Sequence, residues 1–223
     1  MCIFMVLIFD LDNTLYDEAS FVKSGFLAVS DYLAGITLLN RKKIYFRLLE
    51  LLELHGRGKT FDMFLDEHSL LTKKNIKKCI SVYRSHKPNI KLYPKVRNVL
   101  KNFSNHKLYL VTDGNKLVQY SKINALGIKS FFIKTFITGF YGVKANKPSL
   151  YCFKKIKQLE GCKWSDMVYV GDDPSKDFVN LNKVGAKTVR TFSGRYAKIK
   201  VKNAFEAKFK IENISKFSLD IFI

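Results

Sequence analysis

The chain is poor in the residues that hold small or extended proteins together. Of 223 residues, only 4 are cysteine (Cys2, Cys79, Cys152, Cys162), 4 proline and 12 glycine. No two cysteines form a CxxC pair, and none shares a ligand-type spacing with a histidine. Neither a structural zinc site nor a disulfide framework is therefore expected, and a reducing, cytoplasmic setting is. The scarcity of Pro and Gly beside 47% hydrophobic residues excludes disorder, collagen and low-complexity linkers as overall descriptions. No apolar run reaches the ~18–20 residues that cross a bilayer, so no membrane association is expected. The opening Met1–Phe9 is apolar but has no basic region and ends against Asp10, which does not suit a signal peptide. Acidic residues are also few, 19 against 39 basic, for a formal charge of +20. Such an excess raises nucleic acid as a partner. Arginine, which base-edge recognition favours, is scarce: 7 against 32 lysines, and the basic residues are scattered. Nucleic acid is not the expected partner.

What remains is enough apolar sequence for a sizeable core. Cys2–Phe9 is a continuous apolar run rich in Ile, Val and Phe, as in a strand buried on both faces of a parallel sheet. Between residues 17 and 88 the apolar positions change to helical spacing: Phe21, Phe26, Val29, Leu33, then Ile44, Leu48, Leu51, then Phe61, Phe64, Leu65, then Ile76, Ile80, Tyr83. Three or four amphipathic helices are predicted there, with breaks at Gly35, Gly56–Gly58 and Ser69, and with Lys73, Lys74, Lys77 and Lys78 on a wet face. Pro88 and Pro94 bracket a loop. Beyond it strands and helices alternate: strands at Leu108–Thr112, Phe131–Phe136, Met167–Gly171 and Lys187–Thr191, and helices at Asn115–Asn124, Ser149–Leu159 and Lys176–Val184, with Lys147-Pro148 opening the second helix. The segment Phe209–Phe222 is predicted to add an edge strand and a short helix. The pattern is that of an α/β protein with a doubly wound parallel sheet and a helical insertion.

In such a sheet, ligands bind at the carboxyl ends of the strands, and the polar residues collect there. The first strand delivers Asp10 and Asp12, and the second Thr112, Asp113 and Gly114. The fourth delivers Asp172 and Asp173, with Asp177 a turn later; Lys147 lies between the third and fourth. Asp10 and Asp12, two apart on extended chain, point the same way. Carboxylates forced together resist double ionisation unless a cation joins them. An oxygen-only cluster suits Mg²⁺. The Thr112 hydroxyl and the Asp113 and Gly114 N–H groups could cradle a phosphate at a helix N-terminus, or Thr112 could simply cap that helix.

Taken in order, Asp10-Leu11-Asp12-Asn13-Thr14, Thr112-Asp113-Gly114, Lys147-Pro148 and Gly171-Asp172-Asp173-Pro174-Ser175-Lys176-Asp177 resemble the four motifs of the haloacid dehalogenase (HAD) superfamily. The resemblance implies a Rossmann-like catalytic core over residues 1–16 and 89–223 and a C1-type helical cap over 17–88. It implies Asp10 as nucleophile, Asp12 as general acid and base, and Thr112, Asp113, Gly114 and Lys147 as phosphate-binding. Mg²⁺ would be held by Asp10, the Asp12 backbone carbonyl and Asp172, with Asp173 and Asp177 behind. The aspartate at position 12 favours hydrolysis of a phosphate ester over carbon–halogen cleavage. The implied activity is a phosphomonoesterase for a small phosphorylated metabolite, a sugar phosphate or nucleotide. A sugar phosphomutase on the same fold and a non-catalytic, basic polyanion-binding protein are the alternatives. Phe21, Lys23, Ser24 and Arg57 are candidates to face the substrate, although Phe21 equally suits a core. His55, His68, His86 and His106 show no partner pattern and suit surface or packing roles. Arg195 and Tyr196, after the last clear strand, are expected near the site mouth.

The scarce acids are unevenly spread. Six of the 19 lie in the four motifs and eight within 17–88, and Lys95–Lys147 holds only Asp113. A diffuse positive surface around a concentrated acidic site would steer anionic substrates inward.

Overall fold

The computed structural model describes residues 5–222. Of the predicted first strand, Cys2, Ile3 and Phe4 lie outside the described residues, as does Met1; Val6–Phe9 forms β1. Five further strands follow: β2 (Lys107–Thr112), β3 (Lys134–Ile137), β4 (Met167–Gly171), β5 (Lys187–Thr191) and β6 (Phe209–Ile211). They make one sheet of six strands, in the order β3-β2-β1-β4-β5-β6, with every pair parallel. Strand β1 lies centrally, with Val6 in register with Lys107 on one side and Met167 on the other.

All four residues of β1 are buried, which explains its unbroken apolar sequence. Alternation sends Val6 and Ile8 to one face, where they pack with Tyr109, Val111, Phe136, Phe153, Tyr169 and Phe178. Phe9 faces the other way, 6.3 Å from the Phe132 ring and 5.8 Å from Phe217. The order reverses at β1, because the chain first builds toward β3 and then returns to β4. The crevice at the carboxyl ends of β1 and β4 is the expected ligand position of such a sheet.

The described chain divides into two compact units: one reaches Glu18 and resumes at Ile90, and the other is Ala19–Asn89. The second unit contains α2 (Arg41–His55), α3 (Thr60–Glu67), α4 (Lys73–Ser85) and nearly all of α1 (Glu18–Ala34). Its own core is Val22, Phe26, Val29, Leu33, Ile44, Leu48, Leu51, Phe64, Leu65 and Cys79. Asn40 and Thr72 cap α2 and α4, accepting from the Lys43 and Asn75 N–H groups at 2.9 and 3.1 Å. Gly25 lets α1 approach α4 closely, since a Cβ there would lie 2.5 Å from the Tyr83 ring. Phe21 is buried against Tyr83 and His86. Ser24 Oγ accepts from the Asn89 N–H at 2.9 Å. Lys73, Lys74, Lys77 and Lys78 are exposed on α4.

The sheet unit departs from the sequence expectations in five places. A short helix, α5 (Val96–Asn102), follows Pro94, burying Val96, Val99 and Leu100; seven residues are too few for a readable period. The strand predicted at Phe131–Phe136 is β3, shifted to Lys134–Ile137, and a 3-10 turn holds Lys129–Phe131. The helix after Lys147-Pro148 is α7 (Tyr151–Glu160), so Pro148 precedes it and does not open it. The helix predicted at Lys176–Val184 contracts to α8 (Val179–Lys183). Its first turn is lost because the Asp173 carboxylate accepts from both the N–H and hydroxyl of Ser175, at 3.0 and 2.6 Å, which fixes a turn instead. After β6 the predicted short helix takes the form of two 3-10 turns, at Ile214–Lys216 and Leu219–Phe222. The helix after β2 is α6 (Lys116–Leu126), and its cap is Asn115, which accepts from Leu117 and Val118, so Thr112 has another use. Among the described residues, Cys79, Cys152 and Cys162 are free, and no helix is long and apolar enough to cross a membrane.

Candidate active site

The carboxyl ends of β1, β2 and β4 bring the motif residues together within the sheet unit. Asp10 continues β1 by one residue, its N–H donating to the Val170 carbonyl at 2.9 Å, so its backbone is locked to β4. Lys147 Nζ donates to Asp10 Oδ1 at 2.9 Å and to the Tyr169 hydroxyl at 2.8 Å, and lies 2.7 Å from Asp177 Oδ1. These three acceptors match the three protons of an ammonium. The Asp177 carboxylate is held further by the Tyr169 hydroxyl at 3.2 Å and the Asp173 N–H at 3.0 Å. Gly171 makes room for it: a Cβ there would lie 2.5 Å from Asp177 Oδ2. Asp10, Lys147, Asp172, Asp173 and Asp177 are all buried.

Carboxylate oxygens of Asp10, Asp172 and Asp177 lie within 4.8 Å of one another. Three carboxylates face the single ammonium of Lys147, an excess of two negative charges. Burial, partly offset by Lys147 and reinforced by Asp177, pushes Asp10 up to about 7. Burial and the charges of Asp10 and Asp177 push Asp172 up to about 9. Burial alone would lower Lys147, but Asp10 and Asp177 raise it well above the usual lysine value, so it stays an ammonium. Among the described residues, Asp172 Oδ2 is buried with no hydrogen-bond partner. A buried, unsatisfied carboxylate oxygen is costly. A divalent cation would satisfy the oxygen and the charge together, so this donor set fits Mg²⁺. Asp177, already engaged through both oxygens, is the least available of the three.

On the other side of Asp10, Thr112 Oγ accepts from Gln119 Nε2 at 2.6 Å, which leaves its own proton to donate. Asp113 accepts from the Lys147 N–H at 3.1 Å and pairs with Lys176 at 3.3 Å, so the β2 end anchors the Lys147 loop. Gly114 has φ +135°, a conformation open to glycine. Asp12 is held by Lys122 Nζ at 2.7 Å, by Gln119 Nε2 at 2.9 Å and by the Tyr16 hydroxyl. Burial pushes the Asp12 carboxyl up, but the Lys122 ammonium and the bonds from Lys122, Tyr16 and Gln119 outweigh it and hold it below the usual value.

Tyr16, Gln119, Lys122 and Tyr169 were not legible as site residues. A signal for two of them exists: Gln119 and Lys122 share the i, i+3, i+4 face of α6 with the buried Ile123 and Leu126. At the site mouth, Tyr196 lies beside Asp173, and burial and that charge raise its hydroxyl pKa. Gly194 packs on Asn13, where a Cβ would meet the Asn13 side chain at 2.4 Å. The segment after β5 therefore reaches the site at Gly194 and Tyr196, and Arg195 lies over the Tyr196 ring.

A parallel sheet that gathers carboxylates, a buried lysine and a hydroxyl at its switch point defines the class. Residues 7–191 match the haloacid dehalogenase-like hydrolase family, and the chain belongs to it. The curated relatives that the chain matches are phosphatases. It is 30% identical over 207 residues to the glyceraldehyde 3-phosphate phosphatase of Methanopyrus kandleri, covering 88% of this chain and 87% of that protein. The protein of the same description from Methanocaldococcus jannaschii is 28% identical, with 85% and 86% covered. A HAD hydrolase of Bacillus subtilis, solved with magnesium bound, superposes with a TM-score of 0.68 at 18% identity, covering 95% and 96%. A HAD phosphatase of Thermococcus onnurineus gives 0.60 at 23%, covering 95% and 94%. These two likenesses concern the fold.

Proposed function

We propose that the protein is a Mg²⁺-dependent phosphomonoesterase that works through a phosphorylated Asp10, with glyceraldehyde 3-phosphate as the first substrate to test. The observation that carries this is the pair of environments around the two aspartates that follow β1. Asp10 faces Lys147 and the orphaned Asp172 oxygen, where a phosphoryl group and a cation both have partners. Asp12, two residues on, is turned to a separate set of donors.

In the first step an Asp10 oxygen forms a bond to phosphorus while the ester P–O bond breaks. Asp12, protonated in the substrate complex although Lys122 holds its pKa low in the free site, gives that proton to the departing alkoxide oxygen. In the second step water attacks the same phosphorus, the acyl phosphate P–O bond breaks, and Asp12 takes the water proton. Both halves return Asp10 and Asp12 to their starting state. The Thr112 hydroxyl and the Asp113 and Gly114 N–H groups donate to phosphoryl oxygens, and Lys147 adds positive charge to them. Asp177 and Tyr169 keep Lys147 aimed. Mg²⁺, held by Asp10, the Asp12 main-chain carbonyl and Asp172, would neutralise phosphoryl charge and hold the crowded carboxylates in their ionised form. The helical unit Ala19–Asn89 is assigned the role of cap, which selects the leaving group.

Replacing Asp10 by Asn is expected to abolish phosphate release from every ester in a panel of sugar phosphates, nucleotides and small organophosphates, with or without Mg²⁺. Residual turnover in a clean Asp10→Asn preparation would sink the covalent route. Isomer formation without free phosphate in the wild type would replace hydrolysis by phosphomutase chemistry.

A further inference from the structure

We propose that Lys122 and Gln119 on α6 are positioning residues that fix the reach of Asp12 toward the leaving oxygen. The proposal rests on the hydrolytic route through Asp10 and Asp12. The geometry that carries it is a clamp closed from both sides of one carboxylate. Lys122 Nζ and the Tyr16 hydroxyl both donate to Asp12 Oδ1, the former at 2.7 Å. Gln119 Nε2 donates to Asp12 Oδ2 at 2.9 Å and to Thr112 Oγ at 2.6 Å. One amide therefore ties the phosphate-holding hydroxyl to the acid–base carboxylate. A shift of either is transmitted to the other.

Packing does not account for these residue types. Gln119 and Lys122 are 1% and 3% exposed, on a helix face otherwise filled by Val118, Ile123 and Leu126. An ion pair buried there gains little over a well-packed apolar pair and is often less stable than one. The buried Lys122 ammonium is paired with the Asp12 carboxylate, and the pair fixes how that carboxylate is turned. The helix is also placed for this purpose. Asn115 caps it just beyond Gly114, and Arg97 holds its other end through the Leu126 and Gly127 carbonyls at 2.8 and 3.4 Å. A rod fixed at both ends sets its side chains with little play.

The two roles of the clamp and of the fold can be separated by leaving group. An alkoxide needs a proton as it departs, whereas p-nitrophenolate leaves without one. The kcat/KM value reports events up to formation of the phosphorylated Asp10. Lys122→Met is therefore expected to lower kcat/KM for glyceraldehyde 3-phosphate at least about tenfold more than for p-nitrophenyl phosphate, since a positioned acid contributes about 10²–10⁴-fold. Both values come from one preparation, so a partly unfolded sample cancels in the ratio. Lys122→Arg is expected to recover part of the ratio. If Lys122→Met does not fold, Gln119→Leu, which removes the amide donor alone, serves for the same comparison. Equal losses on the two esters would overturn the assignment and leave a structural ion pair. An inactive Asp10→Asn variant beside equal losses rejects only the positioning role. An active Asp10→Asn variant rejects the underlying route.

Discussion

At the scale of single residues, the site is a set of charges arranged in local groups. Asp12 is matched by Lys122, Asp113 and Asp173 by Lys176, and Asp10 and Asp177 by Lys147. Asp172 is the carboxylate of this cluster left with an unsatisfied oxygen. It follows that adding Mg²⁺ to the metal-free protein should raise its Tm. A ligand at a hundred times its Kd adds about 2.7 kcal/mol, or about 5–10 °C for a chain of this size. Asp172→Asn is expected to leave the Tm of the metal-free protein nearly unchanged at neutral pH, because burial already keeps Asp172 protonated there, and to erase the Mg²⁺ response. A thermal melt with Mg²⁺ or EDTA checks both; an undiminished Mg²⁺ response in the variant would contradict the assignment of Asp172. The motif residues were readable because each is tied to a strand end, where sequence neighbours become spatial neighbours. Lys122 was not, because one lysine among 32 stands out only once a carboxylate 110 residues earlier is seen to face it.

At the scale of elements, β4 and β5 have the limits that their sequence predicts, Met167–Gly171 and Lys187–Thr191. Strand β4 announces itself by an apolar run that ends at Gly171, whereas β5, Lys-Thr-Val-Arg-Thr, is legible only from its place in the strand–helix alternation. Among the elements that differ, two have limits set by side chain–backbone bonds. The turn at Asp173–Ser175, which shortens α8, is one; the cap of α6 at Asn115, three residues past Thr112, is another. Asn115→Ala removes the acceptor for two N–H groups and should cost about 1 kcal/mol of stability, measured by urea denaturation. Because α6 carries Gln119 and Lys122, the variant should also lose kcat while KM changes little. A stability loss with unchanged kcat would mean that the α6 N-terminus is not transmitted to the site.

At the scale of the whole molecule, the +20 charge and the acidic site belong to one electrostatic arrangement. Positive charge is spread over the chain, while six of its 19 acids are gathered in the motifs. A field of this kind speeds the approach of a phosphate ester and has little effect once it is bound. Raising the salt from about 50 to about 300 mM shortens the Debye length from ~14 to ~6 Å and should lower kcat/KM while kcat stays nearly constant. The same titration on a less positive variant, made by exchanging exposed lysines of α4 and the segment after β5 for glutamine, should be flatter. Equal salt responses in the two proteins would reduce the lysine excess to a bias of composition.

The central place of β1 also has a consequence for how the chain is made. Its partners on the two sides start at Lys107 and Met167, about 100 and 160 residues further on. At about 5–20 residues per second, synthesis keeps so apolar a strand waiting for several seconds or more before its first partner exists. The helices of Ala19–Asn89, whose contacts are local, can close around their own core in that interval. The insertion thus separates β1 in time from the five strands it later joins, and β1 is the segment most in need of protection on the ribosome.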